Sequence, residues 1–301
     1  MNEPSSTGIS SARIWLLAAR PKTLPAGAAP VLVGTALASR LVDKFNPLAF
    51  VATMLGALLI QIGTNLANDY SDARRGADTE DRLGPVRVTA GGLVPSRQVL
   101  IATYATFLLS VLIGVYLISI SGWPLLVVGI LSILAGVLYT GGPRPYGYEG
   151  LGELFVFLFF GVVAVAGTYY VQTVSLVWEA VVLAVPVGLL ASAILVVNNI
   201  RDIETDRRAG KKTLAVRLGR EKTRTLFTLM IASAFLVALV PWLSGALGPA
   251  VLLSWLAVPL AIGPIKTVVN RTDGPSLNEC LAATGRLQLI FCALLSVGIL
   301  I

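Results

Sequence analysis

Two short stretches hold half of the acid in this chain. N-L-A-N-D-Y-S-D-A-R-R-G-A-D-T-E-D, residues 65–81, carries Asp69, Asp72, Asp78, Glu80 and Asp81. N-N-I-R-D-I-E-T-D, residues 198–206, adds Asp202, Glu204 and Asp206, giving eight of the 16 acidic residues. Each stretch follows an apolar run, and Asn65 and Asp69 each lie 133 residues before Asn198 and Asp202. On a continuing helix Asn65, Asn68, Asp69, Asp72 and Gly76 share one face, as do Asn198, Asp202 and Asp206, because positions three, four and seven apart lie together. The spacing predicts a pseudo-repeat in which two facing helices each present an amide and two carboxylates. A zinc site would use Cys or His; the chain has no histidine, and Cys280 and Cys292 form no metal-binding spacing. Oxygen donors alone suit a hard cation, and magnesium binds through a few carboxylates together with substrate phosphates. The expected chemistry is therefore a magnesium–diphosphate clamp, with Asp69, Asp72, Asp202 and Asp206 as catalytic and metal-binding residues. Arg74, Arg75, Arg201, Arg207, Lys211 and Lys212 stand close enough in sequence to neutralise the remaining phosphate charge, whereas Glu80 and Glu204 read as solvated loop charges.

The elements that carry these clusters are membrane helices. A 301-residue chain that is 55% hydrophobic and 13% charged, with mean hydropathy +0.81, has too few charges for the polar shell of a soluble domain. Apolar runs at about 12–38, 48–68, 98–120, 123–141, 151–173, 177–199, 224–243, 247–269 and 280–301 predict an all-α integral membrane protein of about nine spans. These form a single domain over 1–301, with 1–11 expected to be disordered; the polar start lacks the basic segment of a cleaved signal. All but Arg40 and Lys44 of the 23 basic residues fall in the N-terminal segment or after even-numbered spans. The positive-inside rule then puts the N-terminus and both acidic clusters on the cytoplasmic side and the C-terminus outside. The same bias accounts for the net charge of +7 without nucleic acid. The first span is broken by A-R-P-K-T-L-P, where Pro21 and Pro25 remove backbone donors. Arg20 and Lys22 there read either as snorkelling interfacial charges or as a cationic wall facing an anionic ligand. A diphosphate held beside lipid-exposed helices suggests a polyprenyl diphosphate. Its departing head would leave an allylic cation, shielded by apolar and aromatic surroundings and captured by an acceptor.

N-D-Y-S-D-A-R-R-G-A-D and N-N-I-R-D-I-E-T-D-R-R-A-G-K-K-T-L-A-V-R-L-G resemble the two aspartate-rich motifs of the UbiA superfamily of intramembrane prenyltransferases. A-R-P-K-T-L-P-A-G at 19–27, D-R-L-G-P-V-R at 81–87 and Y-T-G-G-P-R-P-Y-G-Y-E-G-L-G-E at 139–153 narrow the resemblance to the branch acting on 1,4-dihydroxy-2-naphthoate in menaquinone biosynthesis. What the resemblance implies is nine helices around a cavity, two magnesium ions bridging the diphosphate, and polyprenyl transfer with loss of CO2, giving a demethylmenaquinone in the cell membrane. By position Asn65, Asn68, Asp69, Asp72 and Asp78 correspond to the first motif, and Asn198, Asp202 and Asp206 to the second. Gly76 stands where the wider superfamily carries an acid, and Asp78 or Asp81 takes over its metal contact. Tyr139, Arg144 and Tyr146, with Tyr148, mark the third motif as the candidate acceptor site, Arg144 pairing with the naphthoate carboxylate and the rings stacking on naphthalene. For Lys22 either substrate stays open. Other acceptors (4-hydroxybenzoate, homogentisate) and phytyl transfer in a photosynthetic membrane are the alternatives within this class. An ion-coupled transporter is the alternative outside it, which the placement of the acids at one membrane face disfavours.

Overall fold

The computed structural model describes residues 10–43, 45–77 and 83–301. Asp78, Glu80 and Asp81 of the first acidic stretch lie outside the described residues, as do residues 1–9 of the start expected to be disordered. Ser11, also assigned to that start, instead opens the first helix. Every regular element among the described residues is helical. Eight helices are long and apolar enough to cross a membrane: α2 (Pro25–Val42), α3 (Pro47–Arg74), α4 (Ser96–Ser121), α6 (Gly152–Thr173), α7 (Trp178–Arg201), α10 (Arg220–Leu243), α11 (Pro249–Asn270) and α12 (Gly274–Leu300). The apolar helix α5 (Pro124–Leu138) is shorter. Among the described residues three short α-helices, α1 (Ser11–Ala19), α8 (Ile203–Arg208) and α9 (Leu214–Leu218), and 3-10 turns at Pro21–Thr23 and Tyr146–Glu149 lie between or before them.

Local chemistry sets these bounds. Pro25, Pro47 and Pro124 occupy first-turn positions where the missing N–H costs nothing, and Asn46 accepts the Ala49 N–H at 3.0 Å to cap α3. The span expected from residue 12 starts at Pro25 instead. Arg20 adopts a left-handed backbone, φ 54°, and Pro21–Thr23 form one 3-10 turn, so α1 is a separate piece. At the other acidic end α3 runs unbroken to Arg74, and Gly76 takes φ 62°. An aspartate there would meet backbone strain that glycine avoids, which gives a physical reason for the missing acid.

α7 is the central helix. It packs against α6, α10 and α12, and the main core gathers Tyr169, Leu183, Val187, Leu190, Phe227, Leu287 and Phe291 around it. α4 and α5 lie at the periphery and turn Tyr104, Leu108, Leu112, Ile130 and Leu131 outward, as a lipid-facing surface requires. The approach of α6 to α7 depends on two glycines. A Cβ at Gly161 would lie 2.6 Å from the Gly188 Cα and 2.8 Å from the Ala184 carbonyl oxygen, and backbone atoms cannot yield as a side chain could. A π-helical turn at Phe157–Val163 accompanies this contact. Gly161→Val should therefore destabilise the protein by about 1–3 kcal/mol through overpacking. The readout is a lowered thermal midpoint in detergent relative to Gly263→Ala, where a Cβ meets nothing within 4 Å. Equal midpoints for the two variants would contradict this account of the interface.

Candidate active site

Along α3 the residues Thr53, Gly56, Ala57, Ile60, Gln61, Thr64, Asn65, Asn68 and Asp72 line one wall of a cavity of ≈ 520 Å³. These positions share a helical face and span roughly 28 Å at 1.5 Å per residue. The far end is apolar, built from Val115, Ile118, Leu125, Val128, Ile133 and Phe159. The near end is polar. Among the described residues the ionisable lining groups there, tyrosines aside, are Arg20, Arg87 and Lys211 against Asp72 and Asp206, three cations and two carboxylates. Held in a low-dielectric bundle, an excess of fixed positive charge attracts an anion strongly.

Asp72 is the hub of this end. Its carboxylate, buried to 1% exposure, accepts hydrogen bonds from Arg87 Nη2 at 3.0 Å and from the Tyr148 hydroxyl, and the Lys211 ammonium lies 3.5 Å away. Lys211 also sits 4.6 Å from the centre of the Tyr148 ring. The neighbouring helical positions do different work. Asp69 does not line the cavity. Its two oxygens accept the backbone N–H groups of Val88 (3.1 Å) and Thr89 (2.9 Å), so it ties the segment between α3 and α4 to the helix and thereby delivers Arg87. Asn68 accepts from the Thr140 hydroxyl at 2.9 Å, and Asn65 donates to the Ala19 carbonyl at 3.0 Å. With Gln61 donating to the Thr23 carbonyl, Asn65 fastens the broken start of the chain to α3 and brings Arg20 to the cavity.

The second cluster is not one continuous face. α7 ends at Arg201, Asp202 leaves the helical region (φ −96°, ψ 7°), and α8 begins at Ile203. Asn198 and Asp206 reach the cavity, but Asp202 turns to the Arg201 guanidinium, whose Nε and Nη2 both donate to it. Arg201 also donates to Asn198 and to Asn278, and Asn278 in turn donates to the Leu83 carbonyl at 2.9 Å. Arg201 is thus a buried brace behind the cavity, away from any ligand in it. Its cost of burial is offset because Nε, Nη1 and Nη2 each donate to an oxygen.

Four further expected site residues also lie off the cavity. Lys22 is exposed on the 3-10 turn; Arg20, two residues earlier, takes the inward place because of its left-handed backbone. Arg74 is exposed and folds back onto Tyr70, donating to its hydroxyl at 3.0 Å. Lys212 is exposed, and its backbone N–H holds the Tyr148 carbonyl at 2.8 Å. Arg144 is exposed on the loop after α5, because the Gly141–Gly142 turn before it carries the chain outward. The aromatic residues of the third motif do face inward. Tyr139 and Tyr146 meet edge to face at 5.5 Å, and Tyr146 stacks on Phe155 at 4.0 Å. The Tyr146 hydroxyl donates to the Ala135 carbonyl at 2.7 Å; burial raises its pKa and keeps the phenol neutral. The cavity residues that motif spacing did not single out are Arg87, Gln61, Thr140 and Asn199. Arg87 stood in the D-R-L-G-P-V-R stretch, and Asn199 in the N-N pair, but nothing in spacing distinguishes either from its neighbours.

The donor set at the polar end suits a hard cation only in part. Among the described residues no three carboxylates converge; Asp72 and Asp206 are the carboxylates at the cavity, and the amides Asn68 and Asn198 are among the neutral oxygen donors beside them. Two carboxylates leave the remaining coordination to ligand phosphates and water, as magnesium prefers.

Comparison with known proteins agrees with this architecture. Residues 28–295 match the UbiA prenyltransferase family. The chain is 42% identical over 277 residues to a 1,4-dihydroxy-2-naphthoate octaprenyltransferase of Mycobacterium tuberculosis, covering 92% of this chain and 93% of that one. It is 38% identical over 300 residues to the Escherichia coli protein of the same description, covering 97% and 96%. Among solved structures, a UbiA homolog from Archaeoglobus fulgidus bound to GPP and Mg2+ superposes with a TM-score of 0.69 at 17% identity, over 95% of this chain and 99% of that one; this likeness is one of fold. The chain belongs to the UbiA prenyltransferase family.

Proposed function

We propose that this protein transfers a polyprenyl group from its diphosphate to 1,4-dihydroxy-2-naphthoate, releasing diphosphate and CO2 and forming a demethylmenaquinol, the reduced form of a demethylmenaquinone. The observation that carries the reading is a single cavity with three cations and two carboxylates at one end and a long apolar wall at the other. A ligand with an anionic head and a hydrocarbon tail matches it in sign, polarity and length. The relatives named for this reaction support the choice of acceptor, and family membership weighs against a transporter. The basic-residue bias supports a polar end that opens toward the cytoplasm.

Arg87 and Lys211 hold the diphosphate and take up the negative charge that grows on it as the allylic C–O bond breaks. Asp72 and Asp206 are the carboxylates that would hold magnesium, which supplies charge neutralisation of the leaving group when bound. A second ion would require ligands beyond these two, and Asp78 is the further carboxylate in our reading. Phe155, Phe159 and Tyr146 offer ring faces to the allylic cation, and the segment tethered by Asp69 helps close the head against water. The electron-rich ring attacks the allylic carbon, and the carboxylate leaves as CO2 with its bonding electrons restoring aromaticity. Arg20 is the cation we assign to the acceptor's carboxylate, in place of Arg144.

The test is transfer of a labelled prenyl group by the purified protein with magnesium and the naphthoate; absence of a lipophilic product would overturn the reading. Arg20→Ala should raise the KM for the naphthoate about 10- to 100-fold, the scale of a charge-assisted hydrogen bond, with the donor KM unchanged. Arg144→Ala should stay near the parent in both. The opposite pattern would return the acceptor to Arg144.

A further inference from the structure

Glu153 is a buried carboxylate that this mechanism leaves without a task. It stands in the first turn of α6 at 4% exposure. Its Oε1 accepts from Asn199 Nδ2 at 2.8 Å, while Oε2 is buried without a hydrogen-bond partner among the described residues. The Glu153 backbone carbonyl accepts from the Ser192 hydroxyl at 2.9 Å, which pins this turn to α7. Asn199 is itself only 5% exposed, and it borders the cavity. With Oε1 accepting from Asn199 Nδ2, the Glu153 carboxyl group sets which way round the amide sits. The NH2 group turns to Glu153, and Oδ1 becomes the polar edge on the cavity side, with no donor among the described residues. This corner adjoins the aromatic wall: a Cβ at Gly152 would lie 3.3 Å from the Tyr139 ring and 3.6 Å from its hydroxyl.

We propose that Asn199 Oδ1 accepts a hydrogen bond from a ring hydroxyl of the aromatic acceptor, and that Glu153 is the positioning residue that keeps the amide in that orientation. The proposal rests on the acceptor reading above and adds to it a specificity element: Arg20 recognises the carboxylate, Asn199 the hydroxyl. The physical basis is the cost of leaving a cavity-lining amide carbonyl unpaired once the acceptor has displaced water from it. An acceptor with the hydroxyl satisfies Oδ1, whereas one lacking it leaves Oδ1 unpaired and binds more weakly. An amide turned the other way would favour a carbonyl or carboxylate in that place.

The experiment compares the KM for 1,4-dihydroxy-2-naphthoate with the competitive inhibition constants of 1-hydroxy- and 4-hydroxy-2-naphthoate, using the full chain purified in detergent. The unmutated protein should favour the dihydroxy compound over at least one analogue. Asn199→Leu should reduce that preference by about 10-fold or more, with the KM for the prenyl diphosphate unchanged. Glu153→Gln keeps the volume but can accept from or donate to Asn199, so it no longer fixes the amide and should lose part of the preference. A purely structural defect would weaken all three aromatic compounds alike. Unchanged ratios in both variants, in an enzyme that transfers prenyl groups to the naphthoate, overturn this proposal alone; no transfer by the unmutated protein overturns the functional reading instead.

Discussion

Asp72→Asn should lower turnover by about three orders of magnitude, the combined scale of a lost electrostatic stabiliser and a lost metal ligand. The substitution keeps the side chain's size and can still accept from the Tyr148 hydroxyl, so the local packing survives. What it removes is the charge between Arg87 and Lys211. Two consequences separate this residue from a simple structural one. The polar end becomes more positive, so inorganic diphosphate should inhibit the variant in the absence of magnesium at least as well as it inhibits the parent. Magnesium should then improve that inhibition less than it does in the parent, because one of the two cavity-facing carboxylates is gone. Steady-state turnover and diphosphate inhibition with and without magnesium measure both. Turnover within about 10-fold of the parent would remove Asp72 from the centre of the mechanism.

The fate of the two acidic stretches explains what could be read from the residues and what could not. Helical periodicity placed Asn65, Asn68 and Asp72 on one face of α3, and they do line one wall together. Periodicity also grouped Asp69 with them. A 100° step per residue puts position 69 beside that face without saying which partner its carboxylate will meet, and the partner is backbone 19 and 20 residues away. In the second stretch the regular step of four assumed an unbroken helix, but the Arg201–Asp202 pairing turns the chain at 202. Asp206 therefore reaches the cavity by way of a second helix. Arg20 and Arg144 show the same limit on loops. Charge counting assigns both to one membrane side, yet only backbone geometry, a left-handed turn at one and a glycine turn before the other, decides which guanidinium points inward. Composition and run length were enough for the helical class, since an unbroken apolar run of about 20 residues satisfies its backbone within one helical span, whereas a barrel strand needs only about ten alternating residues.

The sharpest contrast to Asp72 lies one helical turn away. Asp69→Leu should lower turnover by about 100-fold while leaving the magnesium dependence of the residual activity where it is in the parent. The substitution leaves the Val88 and Thr89 N–H groups facing hydrocarbon, at about 1–3 kcal/mol for each unsatisfied donor. Val88 is fully buried, so the segment cannot re-solvate these groups without coming away from α3, and Arg87 would come away with it. Loss of that guanidinium from the diphosphate head accounts for the fall in rate. Asp69→Asn should be milder, because its amide oxygen can still accept from one of the two N–H groups. Faster proteolytic cleavage between α3 and α4 in Asp69→Leu, with an unshifted magnesium titration, is the expected pair of results. A magnesium titration shifted as far as in Asp72→Asn would instead make Asp69 a metal ligand, as its place in the motif first suggested. The two carboxylates are three residues apart on one helix, and the prediction is that one serves the cations that meet the substrate's charge while the other holds the segment that carries Arg87.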